Sequence, residues 1–211
     1  WISFKLPYSW AEMAAGKGDA WALDLATRLS QVGGPVWIAF HHEPEGDGVI
    51  ADWLAMQRHL SPIVRNTAKN VAYTTILTGW HELYSGQYTL DGMYPGDGVV
   101  DLVGFDVYLF MGVVKDGVMN TKYTDMDAAY YKPLAEWAAK RNVAWGVAET
   151  GITDYASESY PTWMPQMVTA LKARGGKAFA YFNTSLNSSG SWVITTPNKT
   201  NQFASALKQS D

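Results

Sequence analysis

The stretch Val36-Trp-Ile-Ala-Phe-His-His-Glu43 decides the fold class of this chain. Uncharged apolar residues in succession predict a strand buried on both faces, which is typical of a parallel sheet covered by helices. The run ends in two histidines and a glutamate, so chemically capable side chains follow directly on a buried strand. A second stretch, Val143-Ala-Trp-Gly-Val-Ala-Glu149, has the same form. Each glutamate is therefore expected where a strand leaves a core and opens onto a cleft.

The composition is that of a folded globular protein. Of the 211 residues 47% are hydrophobic and 17% are charged, which suffices for a sizeable core in a single domain spanning residues 1–211. A formal net charge of −4 provides no broad basic field for nucleic acid. No run approaches the ~20 apolar residues that a membrane helix needs. The 10 tryptophans and 12 tyrosines provide flat apolar faces for stacking on sugars, although most are expected in the core.

Apolar runs and amphipathic segments alternate along the chain, with the runs spaced by roughly 30–40 residues, the length of one βα unit. The predicted strands are Ile2–Leu6, Val36–Phe40, Val71–Leu77, Leu102–Val107, Val143–Ala148 and Ala178–Phe182. The predicted helices are Asp19–Gln31, Val49–Asn66, Asp125–Arg141, Tyr160–Arg174 and Thr200–Lys208. Two glycine pairs, Gly33-Gly34 and Gly175-Gly176, follow helix ends where left-handed caps are expected. An irregular loop, Gly79 to Gly98, joins the third strand to the fourth, and long loops of this kind usually carry function.

Alternating strands and helices imply a parallel sheet, in either a closed (β/α)8 barrel or an open doubly wound sheet. The doubly wound alternative lacks its signature, a glycine-rich phosphate-binding turn after the first strand. The barrel is favoured because chemically capable side chains end almost every predicted strand, and barrel enzymes place their sites at that face. These side chains are His42 and Glu43, Trp80 and His81, Asp106 and Tyr108, Glu149, and Asn183.

The number of predicted strands is smaller than a complete barrel requires. Six strands are predicted where the fold has eight, and 211 residues are fewer than the ~250 typical of it. We therefore predict an α/β chain that holds strands three to eight of a (β/α)8 TIM barrel, with two N-terminal βα units absent.

Residues spread over nearly the whole chain resemble a known family. They are Trp10 with Gly16 and Asp19, the pair His42-Glu43 after a strand, the stretch Tyr94–Tyr108, and the run Ala148-Glu-Thr-Gly151. Their order and spacing are similar to glycoside hydrolase family 26, which includes β-mannanases and related endo-β-glycanases. The resemblance implies a retaining glycosidase on a (β/α)8 barrel, with catalytic glutamates ending strands four and seven. Under this registration Ile2–Leu6 is the third strand, which accounts for the two missing units.

The resemblance also implies roles for single residues. Glu43 matches the general acid/base of the family, and His42 matches the histidine beside it. Glu149 matches the nucleophile. Asp106 and Tyr108 match residues of the sixth strand that line the site, with the Tyr108 hydroxyl near the nucleophile and donating a hydrogen bond to it.

Three further assignments complete the predicted site. Trp192 matches a sugar-stacking tryptophan of the family. Trp80 is expected to contact sugar because it follows the third predicted strand, the alternative being that it plugs the top of the barrel. For Asp106 an equal alternative is that it orients a neighbouring side chain. The segment Pro44–Gly48 stands where mannanases of the family carry Met-Asn-Gly-x-Trp, so mannan specificity does not follow from the resemblance.

Two carboxyl groups suffice for the chemistry that these residues imply. A retaining mechanism uses one carboxylic acid to protonate the leaving oxygen and one carboxylate to attack the anomeric carbon, and it needs no cofactor. A metal site is not expected, because His41, His42, Glu43 and Glu45 fit no standard zinc spacing. Neighbouring histidines on a strand are also expected to point to opposite faces, so that His41 and His42 would not share one cleft.

Two hypotheses of different class follow. The preferred one is a retaining, endo-acting glycoside hydrolase whose partner is a β-linked polysaccharide, with an extracellular location. The alternative is a non-catalytic carbohydrate-binding or adhesion module within a larger surface, multidomain or virion protein. Retention of Glu43, Glu149 and Tyr108 favours the first, because binding alone needs no matched acid and nucleophile. A barrel lyase or isomerase is disfavoured, because no lysine or phosphate-binding loop stands at a predicted strand end.

Overall fold

The computed structural model of the chain describes residues 1–209. The chain forms two compact units. The first contains Trp1–Phe105 and Ala138–Ala144, and the second contains Asp106–Trp137 and the chain from Trp145 onward. Each unit combines parallel strands with helices, as the alternating pattern predicts.

The first unit is built on parallel strands in the order β1-β2-β3-β4. They are β1 (Ile2–Phe4), β2 (Val36–Phe40), β3 (Val71–Leu77) and β4 (Leu102–Asp106), and the last residue of β4 begins the second unit. In β2, Ile38 pairs with Ile2 on one side and with Tyr73 on the other. Because β2 is paired on both sides, Ile38 and Phe40 are almost completely buried, as their apolar run predicts.

Five helical segments accompany these strands. They are α1 (Trp10–Ala14), α2 (Asp19–Ser30), α3 (Ile50–Thr67), the π-helix π1 (His81–Ser85) and α4 (Leu90–Met93). The longest, α3, packs against α1 and α2. Trp53, Met56, Leu60 and Val64 recur at helical spacing on its inner face and are fully buried. This apolar stripe fixes the rotation of α3 about its axis and so decides which polar side chains of the helix reach β2.

The second unit pairs two parallel strands and adds a small hairpin. The hairpin strands are β5 (Val114–Lys115) and β6 (Val118–Met119), and the parallel strands are β7 (Ala144–Thr150) and β8 (Phe179–Tyr181). The chain that follows β4 runs beside β7, with the Val107 amide donating to the Glu149 carbonyl at 2.9 Å and the Leu109 amide to the Gly151 carbonyl at 3.0 Å. The helices are the π-helix π2 (Asp127–Tyr131), α5 (Lys132–Arg141), α6 (Asp154–Ser159), α7 (Trp163–Ala173) and α8 (Pro197–Leu207), and the end of α5 from Ala138 and the first residue of β7 belong to the first unit.

All six predicted strands form, and the strands are parallel within each unit. The strands Val36–Phe40 and Val71–Leu77 have the predicted bounds. The largest differences are at β1, which ends at Phe4, and at β7, which continues to Thr150 because Thr150 pairs with Tyr181 of β8. Glu149 therefore lies within a strand and not after one.

The helix prediction is wrong in several details. α7 begins at Trp163 and not at Tyr160, and α8 begins at Pro197 and not at Thr200. The segment Asp125–Arg141 is divided into π2 and α5. Pro133 has no backbone N–H, so it cannot donate the hydrogen bond to the preceding turn that a continuous α-helix needs, and that turn takes the wider π-helical form. Of the two glycine pairs expected as left-handed caps, only Gly175 has positive φ, at +76°. The Gly33-Gly34 pair stays outside the left-handed region, so α2 ends without such a cap.

Gln57 of α3 is fully buried, and its amide joins two strands. The Nε2 group donates to the Phe40 carbonyl at 2.9 Å, and Oε1 accepts from the Tyr73 hydroxyl at 2.6 Å. Burial raises the pKa of Tyr73, which keeps its hydroxyl a donor. Both partners lose their hydrogen bond if this amide is removed.

We expect Gln57→Leu to lower the free energy of unfolding by about 2–4 kcal/mol, because two buried polar groups lose their partner. Urea unfolding of the variant and the parent protein measures the difference. Gln166→Leu is the matched control, since Gln166 is exposed on α7 and the same exchange should change stability by less than about 0.5 kcal/mol. Equal losses in the two variants would contradict this role of the Gln57 amide.

Candidate active site

A cavity of about 1000 Å³ lies in the first unit. It is lined by the end of β1, the start of α1, the loop after β2, the start of α3, Thr78 after β3, and His81 of π1. Glu43 and Glu45 line it, as do His41 and His42. The prediction that Glu43 borders a cleft at the end of a strand is confirmed.

The loop after β2 takes its shape from α3. The Phe40 carbonyl accepts from Gln57, and the His41 carbonyl accepts from Trp53 Nε1 at 3.2 Å. Beyond these bonds the backbone turns sharply, with left-handed φ values of 53° at His41 and 49° at Glu43. Non-glycine residues rarely adopt such values, and they persist only where the surroundings hold them.

Both histidines border the same cavity, so the expectation that they point to opposite faces is wrong. The expectation assumed an extended strand, whereas β2 ends at Phe40, before either histidine. The His41 Nε2 atom lies 2.9 Å from Asp47 Oδ2, and its ring packs edge-on against Trp10 at 4.8 Å. The His42 Nδ1 atom lies 2.7 Å from the Ser3 hydroxyl of β1. Each ring is thus held in place beside Glu43.

A second carboxyl pair lies behind this loop. Glu45 Oε1 accepts from the Thr78 amide at 3.0 Å, and the Thr78 hydroxyl donates to Glu82 Oε2 at 3.3 Å. Burial, together with the hydrogen bond and charge of Glu82, raises the pKa of Glu45 to about 8. Sequence reasoning missed Glu82, although it follows the strand-end pair Trp80-His81 directly and the same strand-end argument includes it.

Trp80 precedes π1 and remains open to solvent. Its side chain is 49% exposed, and its ring meets the His81 ring edge-on at 5.2 Å. The His81 Nδ1 atom lies 2.9 Å from the Thr78 hydroxyl. An exposed ring suits sugar stacking better than plugging, and the sugar contact of Trp80 stays a prediction.

Glu149 in the second unit is bound by the tyrosine that the sequence assigns to it. The Tyr108 hydroxyl donates to Glu149 Oε2 at 2.5 Å, which confirms the predicted hydrogen bond. Tyr108 reaches this position because its neighbours Val107 and Leu109 pair with the end of β7. The other carboxyl oxygen of Glu149, Oε1, takes no part in this hydrogen bond.

Trp192 supports Tyr108 from behind. The two rings lie 5.1 Å apart, and Trp192 is only 2% exposed. Sugar stacking needs an open ring face, so this burial favours a supporting position over the predicted one. A Cβ atom on Gly151 would come within 2.9 Å of the Trp192 ring and 3.1 Å of Tyr108, so a glycine is needed for the two rings to pack here.

Tyr181 at the end of β8 fixes the other side of Trp192. Its hydroxyl donates to the Trp192 carbonyl at 2.7 Å, and burial raises the pKa of Tyr181 to about 12, so the donor persists at neutral pH.

Asp106 at the end of β4 is only 5% exposed. Its burial favours the alternative in which it orients a neighbouring side chain.

Residues 1–209 contain neither a metal-binding cluster nor a membrane-spanning helix. Among residues 1–209 no group of three or more His, Cys, Asp or Glu side chains is placed to hold a metal ion. None of the helices in the same residues combines the length and apolar character needed to cross a bilayer.

Comparison with known proteins relates the chain to glycosidases through structure alone. No family model and no curated protein matches it. Cel5A of Thermotoga maritima, solved with mannotriose, aligns with a TM-score of 0.67 at 13% identity, over 100% of this chain and 71% of that one. A GH26 β-mannanase from Bacteroides ovatus gives 0.64 at 16%, over 95% and 61%. A fungal β-1,4-galactanase gives 0.65 at 12%, over 92% and 67%.

At these identities the likeness concerns the fold. The chain has the fold of TIM-barrel glycoside hydrolases over part of their length, which agrees with the predicted partial barrel. The neighbours include a member of family 26 as well as Cel5A, so the narrower resemblance to family 26 stays a prediction.

The left-handed backbone at Glu43 generates a prediction about stability. We expect Glu43→Gly to be more stable than Glu43→Ala by about 1 kcal/mol, because glycine adopts positive φ without a Cβ penalty. Thermal or urea unfolding of the two variants measures the difference.

Asp24 on α2 provides the reversed control, since it is an exposed helical residue that loses the same Arg28 ion pair in both variants. There the glycine variant should be the less stable by about 1 kcal/mol. Alanine and glycine of equal stability at position 43 would show that the turn is not strained.

Proposed function

We propose that this chain is a retaining, endo-acting glycoside hydrolase of family 26 type that cleaves a β-linked polysaccharide. Glu149 is the nucleophile and Glu43 is the general acid/base. His42, Trp80, Asp106 and Tyr108 contribute to substrate binding or to the orientation of these groups. The proposal joins the glycosidase fold of the structural neighbours to the contacts around the two glutamates.

The observation that carries the proposal is the hydrogen bond of 2.5 Å from Tyr108 to Glu149. A carboxylate nucleophile must keep one oxygen aimed at the anomeric carbon, and a hydroxyl donor on the other oxygen prevents the group from rotating. Because Tyr108 engages Oε2, Oε1 is the atom that attacks. A glutamate with only a structural role would not need the aromatic rings and paired backbone that hold Tyr108 in place.

Glu43 suits the complementary role. It lines a cavity of about 1000 Å³, large enough for sugar units of a polymer, on a loop held by hydrogen bonds to α3 and β3. A general acid must reach the glycosidic oxygen, and a position at the wall of an open cavity permits this. His42 beside it, held by Ser3, is placed to contact the same substrate.

The reaction follows the double displacement of retaining enzymes. Glu149 Oε1 bonds to the anomeric carbon while Glu43 gives its proton to the departing glycosidic oxygen, and the glycosyl–enzyme ester results. Glu43 then removes a proton from water, whose oxygen bonds to the anomeric carbon and releases the Glu149 carboxylate. The anomeric configuration is the same at the beginning and the end, and the carboxyl groups are separated by about 5–5.5 Å in such enzymes.

The substrate class follows from the neighbours and the exposed aromatic ring. The compared structures include a β-mannanase, a β-1,4-galactanase and a protein solved with mannotriose, so β-linked hexose polymers are the first candidates. Trp80, half-exposed, provides a flat face against which a pyranose ring can pack. An extracellular location remains part of this proposal.

Release of reducing ends from β-mannan, β-glucan, β-galactan and xylan tests the proposal. We expect hydrolysis of one polymer or of closely related polymers, and loss of that activity in Glu149→Gln and Glu43→Gln. Glu158→Gln is the control, because Glu158 is exposed on α6. Binding without hydrolysis in the parent protein, unchanged in both variants, would instead support the adhesion module.

The two glutamates can be told apart by their variants. Glu149→Ala should regain turnover with azide, which can attack the anomeric carbon from the vacated side, and should give a glycosyl azide of inverted configuration. Glu43→Ala should lose most activity on polymers, yet with aryl glycosides, whose leaving groups need no proton, it should release the phenol in a rapid burst and then slow, because hydrolysis of the glycosyl–enzyme ester lacks its base. Identical behaviour of the two variants would refute the assigned roles.

Tyr108→Phe isolates the hydrogen bond to the nucleophile. We expect kcat/KM to fall about 10- to 100-fold, because a hydrogen bond to a charged group contributes about 1.5–3 kcal/mol. Tyr155→Phe is the control within the same unit, since Tyr155 is 44% exposed. Activity of Tyr108→Phe equal to that of the control would mean that the bond does not assist the nucleophile.

A further inference from the structure

The pair Glu45 and Glu82 has no part in the reaction described above, yet it is buried in the first unit. Glu82 is 7% exposed, and the Oε2 atom of Glu45 and the Oε1 atom of Glu82 are both shielded from solvent. Within residues 1–209 neither atom accepts from an ordinary donor group. The two side chains nevertheless hydrogen-bond to each other. Two carboxyl groups can do this only when one of them carries a proton, so the pair shares one.

Thr78 engages the other two oxygens of the pair. Its amide donates to Glu45 Oε1 at 3.0 Å, and its hydroxyl donates to Glu82 Oε2 at 3.3 Å. All four carboxyl oxygens therefore have a partner once the shared proton is counted. This arrangement leaves the pair poorly suited to protonate a substrate and well suited to hold its surroundings.

The pair is connected to Glu43 through a stiff link. Pro44, which is buried and has a fixed φ, is the single residue between Glu43 and Glu45. On one side of Pro44 the Glu43 amide donates to the Ile76 carbonyl at 2.9 Å. On the other side Glu45 is bonded to Thr78, two residues further along the same segment. The loop is thus fastened to the end of β3 at two neighbouring points.

We propose that Glu45 and Glu82 are positioning residues whose shared proton clamps the Glu43 loop to the end of β3 and to π1. Glu43 keeps its place while the pair holds this proton and loses it when both carboxyl groups ionise and repel each other. The inference rests on the catalytic role proposed for Glu43.

The charged surroundings of Glu45 make Glu82 the decisive neighbour. The other ionisable groups around the same cavity are Lys5 and Tyr8 after β1, His41, His42, Glu43 and Asp47 on the Glu45 loop, Asp52 on α3, and His81 on π1. The charge that raises the pKa of Glu45 comes from Glu82, after the larger effect of burial.

The folded protein holds this proton more tightly than the unfolded chain does. The stability that it contributes is therefore complete at acid pH and is lost as pH rises through about 8.

Hydrogen exchange of the Glu43 amide tests the clamp without reference to activity. This amide donates to Ile76, so its protection from exchange, relative to the intrinsic rate at each pH, reports whether the loop is fastened. In the parent protein we expect protection to fall by an order of magnitude or more between pH 6 and pH 9, the range that spans a pKa of about 8.

Two substitutions at position 82 separate the proton from the contact. Glu82→Gln should keep the Glu43 amide protected at every pH in this range, because its amide group donates the hydrogen that the shared proton supplied. Glu82→Ala should leave the amide weakly protected throughout. Glu45→Gln should reproduce the Glu82→Gln result and serves as the second variant if Glu82→Ala does not fold. Glu158→Gln should follow the parent protein.

Kinetics on the polymer that the parent protein hydrolyses then test whether the clamp contributes to catalysis. Glu82→Ala should lower kcat on the order of 10- to 100-fold with little change in KM, because a small displacement of a catalytic group costs rate more than affinity. Glu82→Gln should restore kcat to within about threefold of the parent, because the amide replaces the lost hydrogen bond.

Each outcome decides one question. Unchanged protection of the Glu43 amide in Glu82→Ala, or the parent's loss of protection persisting in Glu82→Gln, would overturn the clamp. A fastened loop in a protein that hydrolyses no polymer would leave the clamp in place and overturn the proposed function. Normal kcat in Glu82→Ala, with protection lost, would show that the clamp does not position the acid.

Discussion

At the end of β2 two backbone carbonyl groups, those of Phe40 and His41, leave the sheet and must find new donors. Both donors come from α3, Gln57 for the first and Trp53 for the second. A buried carbonyl without a donor is costly, so these two bonds determine where the chain can turn. The apolar stripe of α3 sets the rotation of that helix, the helix sets the turn, and the turn sets the position of Glu43. The chemistry proposed for the first unit therefore depends on the packing of one helix.

The second unit holds its glutamate in a different way. Glu149 lies within β7, whose backbone is fixed by its pairing, so only the side chain has to be restrained. Tyr108 restrains it, Trp192 packs behind Tyr108, and Tyr181 holds the backbone of Trp192. A nucleophile must approach a carbon atom along one line, and a strand gives it a rigid base. A residue that first donates and later accepts a proton can lie on a loop, because the hydrogen bonds that fix the loop can change between the two steps.

The sequence predicted the framework better than the details of the site. Apolar runs are a strong signal for buried parallel strands, so all six strands were found, and the Tyr108–Glu149 bond followed from the resemblance. Two kinds of information were out of reach. The backbone turns at His41 and Glu43 have positive φ without a glycine, so the sequence holds no signal for them, and the predicted orientation of the two histidines was therefore wrong. Contacts between distant segments, such as that of Glu45 with Glu82, depend on packing that periodicity does not encode.

Gly151 limits how this part of the molecule can be altered. Its missing side chain is the space in which Tyr108 and Trp192 meet, and Gly190 touches the Trp192 ring in the same manner. A methyl group at position 151 would come against both rings, and one at position 190 would come against the Trp192 ring, so either would disturb the packing behind the hydroxyl that donates to Glu149. Substitutions at the solvent-exposed Trp80 can be accommodated by the fold, whereas these two glycines form a part of the molecule in which folded variants will be scarce.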